Sequence, residues 1–292
     1  MNKTLSWHVY AVTTIILWAG AYVFTKVALI HFSPLPLGFL RCLVASAALL
    51  TIMVLKREPF PPVREMPRFI LSGALGFSLY LALFNHGSGF LTAATSCLII
   101  STAPILTAFG AARLFGERLP GGAWGAMALE FAGLAILTLW NGVLAVNQGV
   151  VWMLGAAALI SGYNLIQRLY CRWYSALQIT TLSFCAGTIM LGWWLPQAAG
   201  EAVHAPWGQI IVVLFLGIGP SALAYLAWAQ ALALADRAGA VANYMFLTPF
   251  LSLVLGYLVI TEIPDAGTFI GGAVILAGLG LFNFKVRRGA QK

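Results

Sequence analysis

Residues 93–134, AATSCLIISTAPILTAFGAARLFGERLPGGAWGAMALEFAGL, return 145 positions later as residues 238–279. Pro104 falls on Pro249, Glu117 on Glu262, Gly122 on Gly267, and Ala132-Gly133-Leu134 on Ala277-Gly278-Leu279. Each copy is a long apolar segment with an internal proline, then a glutamate, then a glycine-rich apolar segment. A duplication of this kind in an apolar chain points to a duplicated membrane unit, the plan on which many transporters are built.

The rest of the chain is as apolar as the repeat. Hydrophobic residues make up 61% of it and charged residues 8%, against about 25% charged in a soluble domain. Apolar runs of about 20 residues recur from end to end, so the chain reads as an all-α, polytopic integral membrane protein. Ten spans are expected, at 8–30, 34–55, 68–86, 91–112, 121–141, 148–168, 176–195, 207–234, 238–260 and 264–284. Prolines punctuate them: Pro34 and Pro36, Pro59 to Pro62, Pro120, Pro206 and Pro264. Pro264 suits a first helical position, with Glu262 and Asp265 beside the positive end of the helix dipole, and Glu117 does the same before the fifth span. Lys3, an apolar run and Ala19-Gly20-Ala21 have the outline of a signal peptide. The run continues to Ile30, however, and cleavage would remove the first helix of a half-repeat, so an uncleaved span is expected.

The net charge of +8 does not call for nucleic acid, because the charges cluster in alternate loops. Lys3, Lys56, Arg57, Arg64, Arg68, Arg113, Arg118, Arg168, Arg172, Arg237, Lys285, Arg287, Arg288 and Lys292 all fall on one side, which is therefore cytoplasmic, with both termini. Lys26 and Arg41 fall toward the other side, where either side chain is able to snorkel to the interface. Five spans per half is an odd number, so the second half is inverted relative to the first. The earlier helices agree at an offset of 142, Gly20 with Gly162 and Lys26 with Arg168, and a three-residue insertion brings the later helices to 145. The expected units are residues 1–141 and 148–285.

Cys42, Cys97, Cys171 and Cys185 lie in or beside apolar runs without CxxC or zinc spacing, and read as small core residues. No metal or cofactor is called for. The bilayer and a small-molecule substrate are the expected partners, for a monomer or a homodimer.

A binding site in such a protein is expected near the midplane, at interrupted helices. Thr95, Ser96, Ser101, Thr102 and Pro104 lie in one such segment; Asn243, Tyr244, Thr248 and Pro249 lie in the other. Pro104 removes a hydrogen bond to the residue 100 carbonyl, and Pro249 one to residue 245. A carbonyl freed at that depth binds an ammonium group or is simply part of a kink with Ser/Thr back-bonding. Tyr80, Tyr163, Asn164, Tyr225 and Trp228 lie far enough in to join an aromatic, hydrogen-bonding cavity. Trp7, Trp140, Trp152, Trp193, Trp194 and Trp207 fit interfacial anchors. With no Lys or Arg near mid-span, a phosphorylated solute is not expected; a neutral or zwitterionic one with an apolar part is. Glu130, at mid-span in the fifth segment, is either a proton-coupling group or a packing residue among Gly125, Ala126, Ala128, Ala132 and Gly133. Its repeat partner is Ile275, and the packing role is favoured.

The segments WAGAYVFTK with Arg41, TAPILTAFGAARLFGERLP and LTPFLSLVLGYLVITE resemble the EamA type of the drug/metabolite transporter superfamily, with the bacterial aromatic amino-acid exporters of the YddG type as the nearest likeness. The resemblance spans nearly the whole chain. It implies alternating access around a central cavity between the repeats, and export of amino acids, aromatic ones first, across a bacterial inner membrane. Other amphipathic metabolites or drugs are the alternative cargo. Two further classes fit less well. His86-Gly87-Ser88-Gly89 approaches a serine-protease GxSG, but His86 replaces its first glycine and no mid-span histidine supplies a base. Gly121/Gly125 and Gly267/Gly271 have GxxxG spacing for helix association, which packing within one chain explains equally.

Overall fold

The computed structural model describes residues 3–116, 121–140, 148–234, 241 and 243–289. Every regular element among them is helical. In chain order they are α1 (Lys3–Ala28), α2 (Pro34–Leu55), α3 (Val63–Phe90), α4 (Ala93–Phe115), α5 (Gly121–Leu139), α6 (Gln148–Tyr170), α7 (Ala176–Val203), α8 (Trp207–Leu234), α9 (Thr248–Ile260) and α10 (Ala266–Gly289). Among the described residues, seven helices are long and apolar enough to cross a membrane: α1 to α4 and α6 to α8. Apolar stretches of α5, α9 and α10 are shorter. Large apolar side chains such as Leu55, Ile189, Trp193, Trp207 and Leu258 stand exposed on the outside, as a lipid solvent requires. The protein is a multi-pass membrane protein.

Several helices break, and the breaks repeat. A π-turn, Ala74–Ser78, interrupts α3, and a second one, Gly217–Leu223 around Pro220, interrupts α8. Helix α4 is divided at Ser101 and Thr102, just before Pro104; before Pro249 the chain runs as a 3-10 turn, Asn243–Leu247. The hydroxyls at the first break turn inward: Ser101 donates to the Cys97 carbonyl at 2.8 Å and Thr102 to the Ile99 carbonyl at 2.7 Å. Both helices end in a left-handed residue at the same repeat position, Gly116 at φ 67° and Thr261 at φ 52°. Glycine takes that conformation freely, whereas threonine is held there by its surroundings.

Packing follows a two-fold pattern. Helix α3 lies on α6 as α8 lies on α1; α4 lies on α6 as α9 lies on α1; α2 meets α8 as α7 meets α3. The pairs α2–α7, α4–α9 and α5–α10 join the halves directly. The α5–α10 seam shows why glycine recurs. A Cβ on Gly133 would lie 2.6 Å from the Ile275 backbone nitrogen and 2.8 Å from the Gly271 carbonyl oxygen. A Cβ on Gly278 would lie 2.8 Å from the Glu130 nitrogen and 3.0 Å from the Ala126 carbonyl oxygen. The offset of 145 carries Ala126, Glu130 and Gly133 onto Gly271, Ile275 and Gly278, so these are one contact seen from both sides. Moving from Gly133 back to Ala126 on one helix moves the contact forward on the other. The two helices of this seam therefore run antiparallel.

Two expectations are corrected. Pro264 is not the first helical residue, because α10 starts at Ala266 and Asp265 caps it, accepting from the Thr268 N–H at 2.7 Å. Glu262 does not serve α10. It accepts from the Ala93 N–H at 2.7 Å, at the positive end of α4. Glu117, its repeat partner, lies outside the described residues.

Candidate functional site

A cavity of about 710 Å³ lies between the halves. Its wall is built in matched pairs. At the offset of 142, Trp18 pairs with Ile160 and Tyr22 with Asn164; at 145, Tyr80 pairs with Tyr225, Phe84 with Ala229, Ile100 with Met245 and Ala103 with Thr248, and all twelve line the cavity. The cavity thus straddles the relation between the two halves. Ile100 and Met245 are the residues whose carbonyls lose a donor to Pro104 and Pro249, and both face this space.

The wall takes in Tyr80, Ser101, Pro104, Asn164, Tyr225 and Trp228 from the expected set. Others stand behind it. Tyr163 is fully buried, edge-on to Phe77 with ring centroids 5.1 Å apart. Ser96 and Pro249 are buried away from the wall. Tyr244 bonds His8 and stands edge-on to Trp7. The side chain of Asn243 lies outside the described residues. Glu130 is buried on the α5–α10 seam, away from the cavity, and neither carboxyl oxygen has a hydrogen-bond partner among the described residues. Of the cysteines, Cys42 and Cys97 are buried, but Cys171 is exposed and lines the cavity mouth.

Trp18, Tyr22, Phe84 and Arg41 were not singled out as wall residues. Trp18 and Tyr22 are four apart on α1, hence on one face, and the offset that carries Tyr22 onto Asn164 was the signal for them. Arg41 departs most from expectation. It does not reach for the interface: it is 7% exposed, lines the cavity, and donates from Nε to the Ser221 hydroxyl at 2.8 Å.

The two ends of the cavity differ. Lys26, near the end of α1, forms an ion pair with Glu262 and donates to the Leu91 carbonyl at 2.7 Å. With the Glu262–Ala93 bond, this ties α1, the start of α4 and the segment after α9 together. At the opposite end the cavity runs past Gln167 to Arg168 and Cys171, which are exposed. Arg168 occupies the repeat position of Lys26. The Lys26 end is thus tied by an ion pair and hydrogen bonds, whereas the end at its repeat position, Arg168, is lined by exposed residues.

A helical, multi-pass fold around an aromatic-walled cavity defines a membrane transporter of small molecules. The description "EamA-like transporter family" matches residues 5–139 and again residues 147–284, and the chain belongs to that family. It is similar to a "probable terminal-alkyne amino-acid exporter" of Streptantibioticus cattleyicolor, at 30% identity over 93% of this chain and 91% of that protein. It is also similar to the uncharacterized transporter YdfC of Bacillus subtilis, at 28% identity over 93% and 89%. The uncharacterized inner membrane transporter YhbE of Escherichia coli is 25% identical over 92% and 88%. A crystal structure 20% identical in sequence superposes with a TM-score of 0.64, covering 97% of this chain and 99% of that one, and so shares the fold. These relatives are named as transporters or exporters, and the protein is a transporter rather than an enzyme.

Proposed function

We propose that this transporter exports amino acids, aromatic and other neutral ones first, across a bacterial inner membrane by alternating access. The observation that carries this reading is the cavity: Trp18, Tyr22, Tyr80, Phe84, Tyr225 and Trp228 wall a space of about 710 Å³, within the range of small-molecule sites and ample for an aromatic amino acid. The name of the 30% identical relative, an amino-acid exporter, supports the substrate class. The architecture proposed is ten transmembrane helices in two inverted five-helix repeats, 1–141 and 148–285, with both termini cytoplasmic. The antiparallel α5–α10 seam and the two-fold packing support the inversion. The basic loops support the orientation, and by that orientation the open end with Arg168 faces the cytoplasm.

Counterflow in proteoliposomes, run across the amino acids with and without a proton gradient, tests the reading. Phenylalanine, tyrosine and tryptophan are expected to exchange fastest. Exchange of amphipathic metabolites or drugs, with no amino acid exchanged, would overturn it in favour of that second cargo class.

A further inference from the structure

Arg41 is a buried cation facing the cavity. It begins its side chain seven residues into α2, about 10 Å along the helix at 1.5 Å per residue. Ser221 holds its orientation: the hydroxyl accepts from Nε at 2.8 Å and itself donates to the Leu216 carbonyl at 2.8 Å, within the α8 π-turn. That leaves the fork of the guanidinium unused, and Nη1 is buried with no hydrogen-bond partner. Among the described residues, no acidic one lines the cavity, and Arg41 forms no ion pair. At the offset of 142 it falls on Ser183, so the symmetry of the fold does not demand a charge here.

A cation kept at this depth without a counter-ion is costly. The cost is offset when an anion arrives in the cavity. The planar fork matches a carboxylate, two parallel N–H donors to two oxygens. A single buried cation suits a singly charged group, whereas a phosphate calls for more. The same cavity is lined by Tyr22, Tyr80, Phe84 and Tyr225, a wall for an apolar side chain. We infer that Arg41 is the substrate-binding residue that grips the carboxylate of the cargo, so that the cavity selects arylalkyl carboxylates and rejects the corresponding amines. This rests on the amino-acid exporter reading and narrows it.

The test is equilibrium binding to the purified full-length protein in nanodiscs, with L-phenylalanine, 3-phenylpropionate, phenethylamine and L-phenylalanine amide as probes. In the unsubstituted protein, phenylalanine and phenylpropionate are expected to bind. The amine and the amide are expected to bind weaker by about 10- to 100-fold, the loss typical of one charge-assisted hydrogen-bonded contact. Arg41→Gln should lose phenylalanine by a similar factor and keep its weak amine binding. Ser221→Ala, which keeps the charge and frees its orientation, should lose several-fold. Equal affinity for phenylalanine and phenethylamine in the unsubstituted protein, or full phenylalanine affinity in Arg41→Gln, would overturn the assignment. Binding of phenylpropionate without any amino acid would keep Arg41 and sink the exporter reading; failure of every carboxylate to bind would sink both.

Discussion

At the scale of the residue, depth in a span was legible and direction was not. Tyr80, Asn164, Tyr225 and Trp228 were found from their distance to the helix ends, and they do face the cavity. Tyr163 has the same depth as Asn164, but one residue turns a helix by about 100°, and that turn places its ring in the core against Phe77 and Gly76. Arg41 failed the same way in reverse. Its nearness to a helix end suggested the interface, and only the position of Ser221, 180 residues away in sequence, shows that it points inward. The difference between wall and core is testable. Trp228→Ala should lower transport of phenylalanine and tryptophan several-fold more than that of threonine, since an aromatic contact adds about 0.5–1.5 kcal/mol beyond its area. Tyr163→Ala should instead lower thermal stability, by about 3–5 kcal/mol if it behaves as other large core truncations do, with little change in the ratio of substrates carried. Counterflow ratios and melting curves on the two variants separate the roles, and a selective transport loss in Tyr163→Ala would reverse them.

At the scale of the element, the repeat told most. Prolines at equal offsets marked the breaks in α4 and before α9, and the glycines at 133 and 278 marked the seam that joins the halves. The π-turns in α3 and α8 carried no such mark in α3, where ALGFS has no proline and reads as ordinary helix. The seam also places Glu130. Its backbone touches Gly278 and its carboxyl is buried away from the cavity, so packing is its role in our reading. Two substitutions on the same seam should therefore differ. Gly278→Ala puts a methyl 2.8 Å from the Glu130 nitrogen; backbone has to shift, at a cost of about 1–3 kcal/mol, and the melting temperature should fall. Glu130→Gln keeps the volume and removes the ionisable group, and should leave counterflow unchanged with and without a proton gradient. A folded Glu130→Gln protein that exchanges substrate yet loses proton-driven flux would make Glu130 the coupling site.

At the scale of the whole molecule, the packing of α3 and α4 on α6 matches that of α8 and α9 on α1, whereas the Lys26 and Arg168 ends of the cavity differ, and on the alternating-access reading those ends are where the cycle acts. On the alternating-access reading proposed above, a tie at one end and exposed residues at the other correspond to one of two states. The Lys26–Glu262 pair is partly exposed, with side chains 24% and 16% accessible, so its contribution lies between that of a surface pair and a buried one, about 1–2 kcal/mol. Removing it should shift the balance between states by about 5- to 30-fold, toward a form opened at the Lys26 end and closed at the Arg168 end. Cys171 reports on this, because it is exposed at the open mouth. With Cys42, Cys97 and Cys185 replaced by alanine, a polar maleimide added from the cytoplasmic side should label Cys171 readily in the otherwise unsubstituted protein. Labelling should be slower in Lys26→Gln and in Glu262→Gln. The double variant should match the singles, since either change alone breaks the pair. Unchanged labelling in all three would mean that the pair holds the fold rather than the state, and that some other contact decides which end is open.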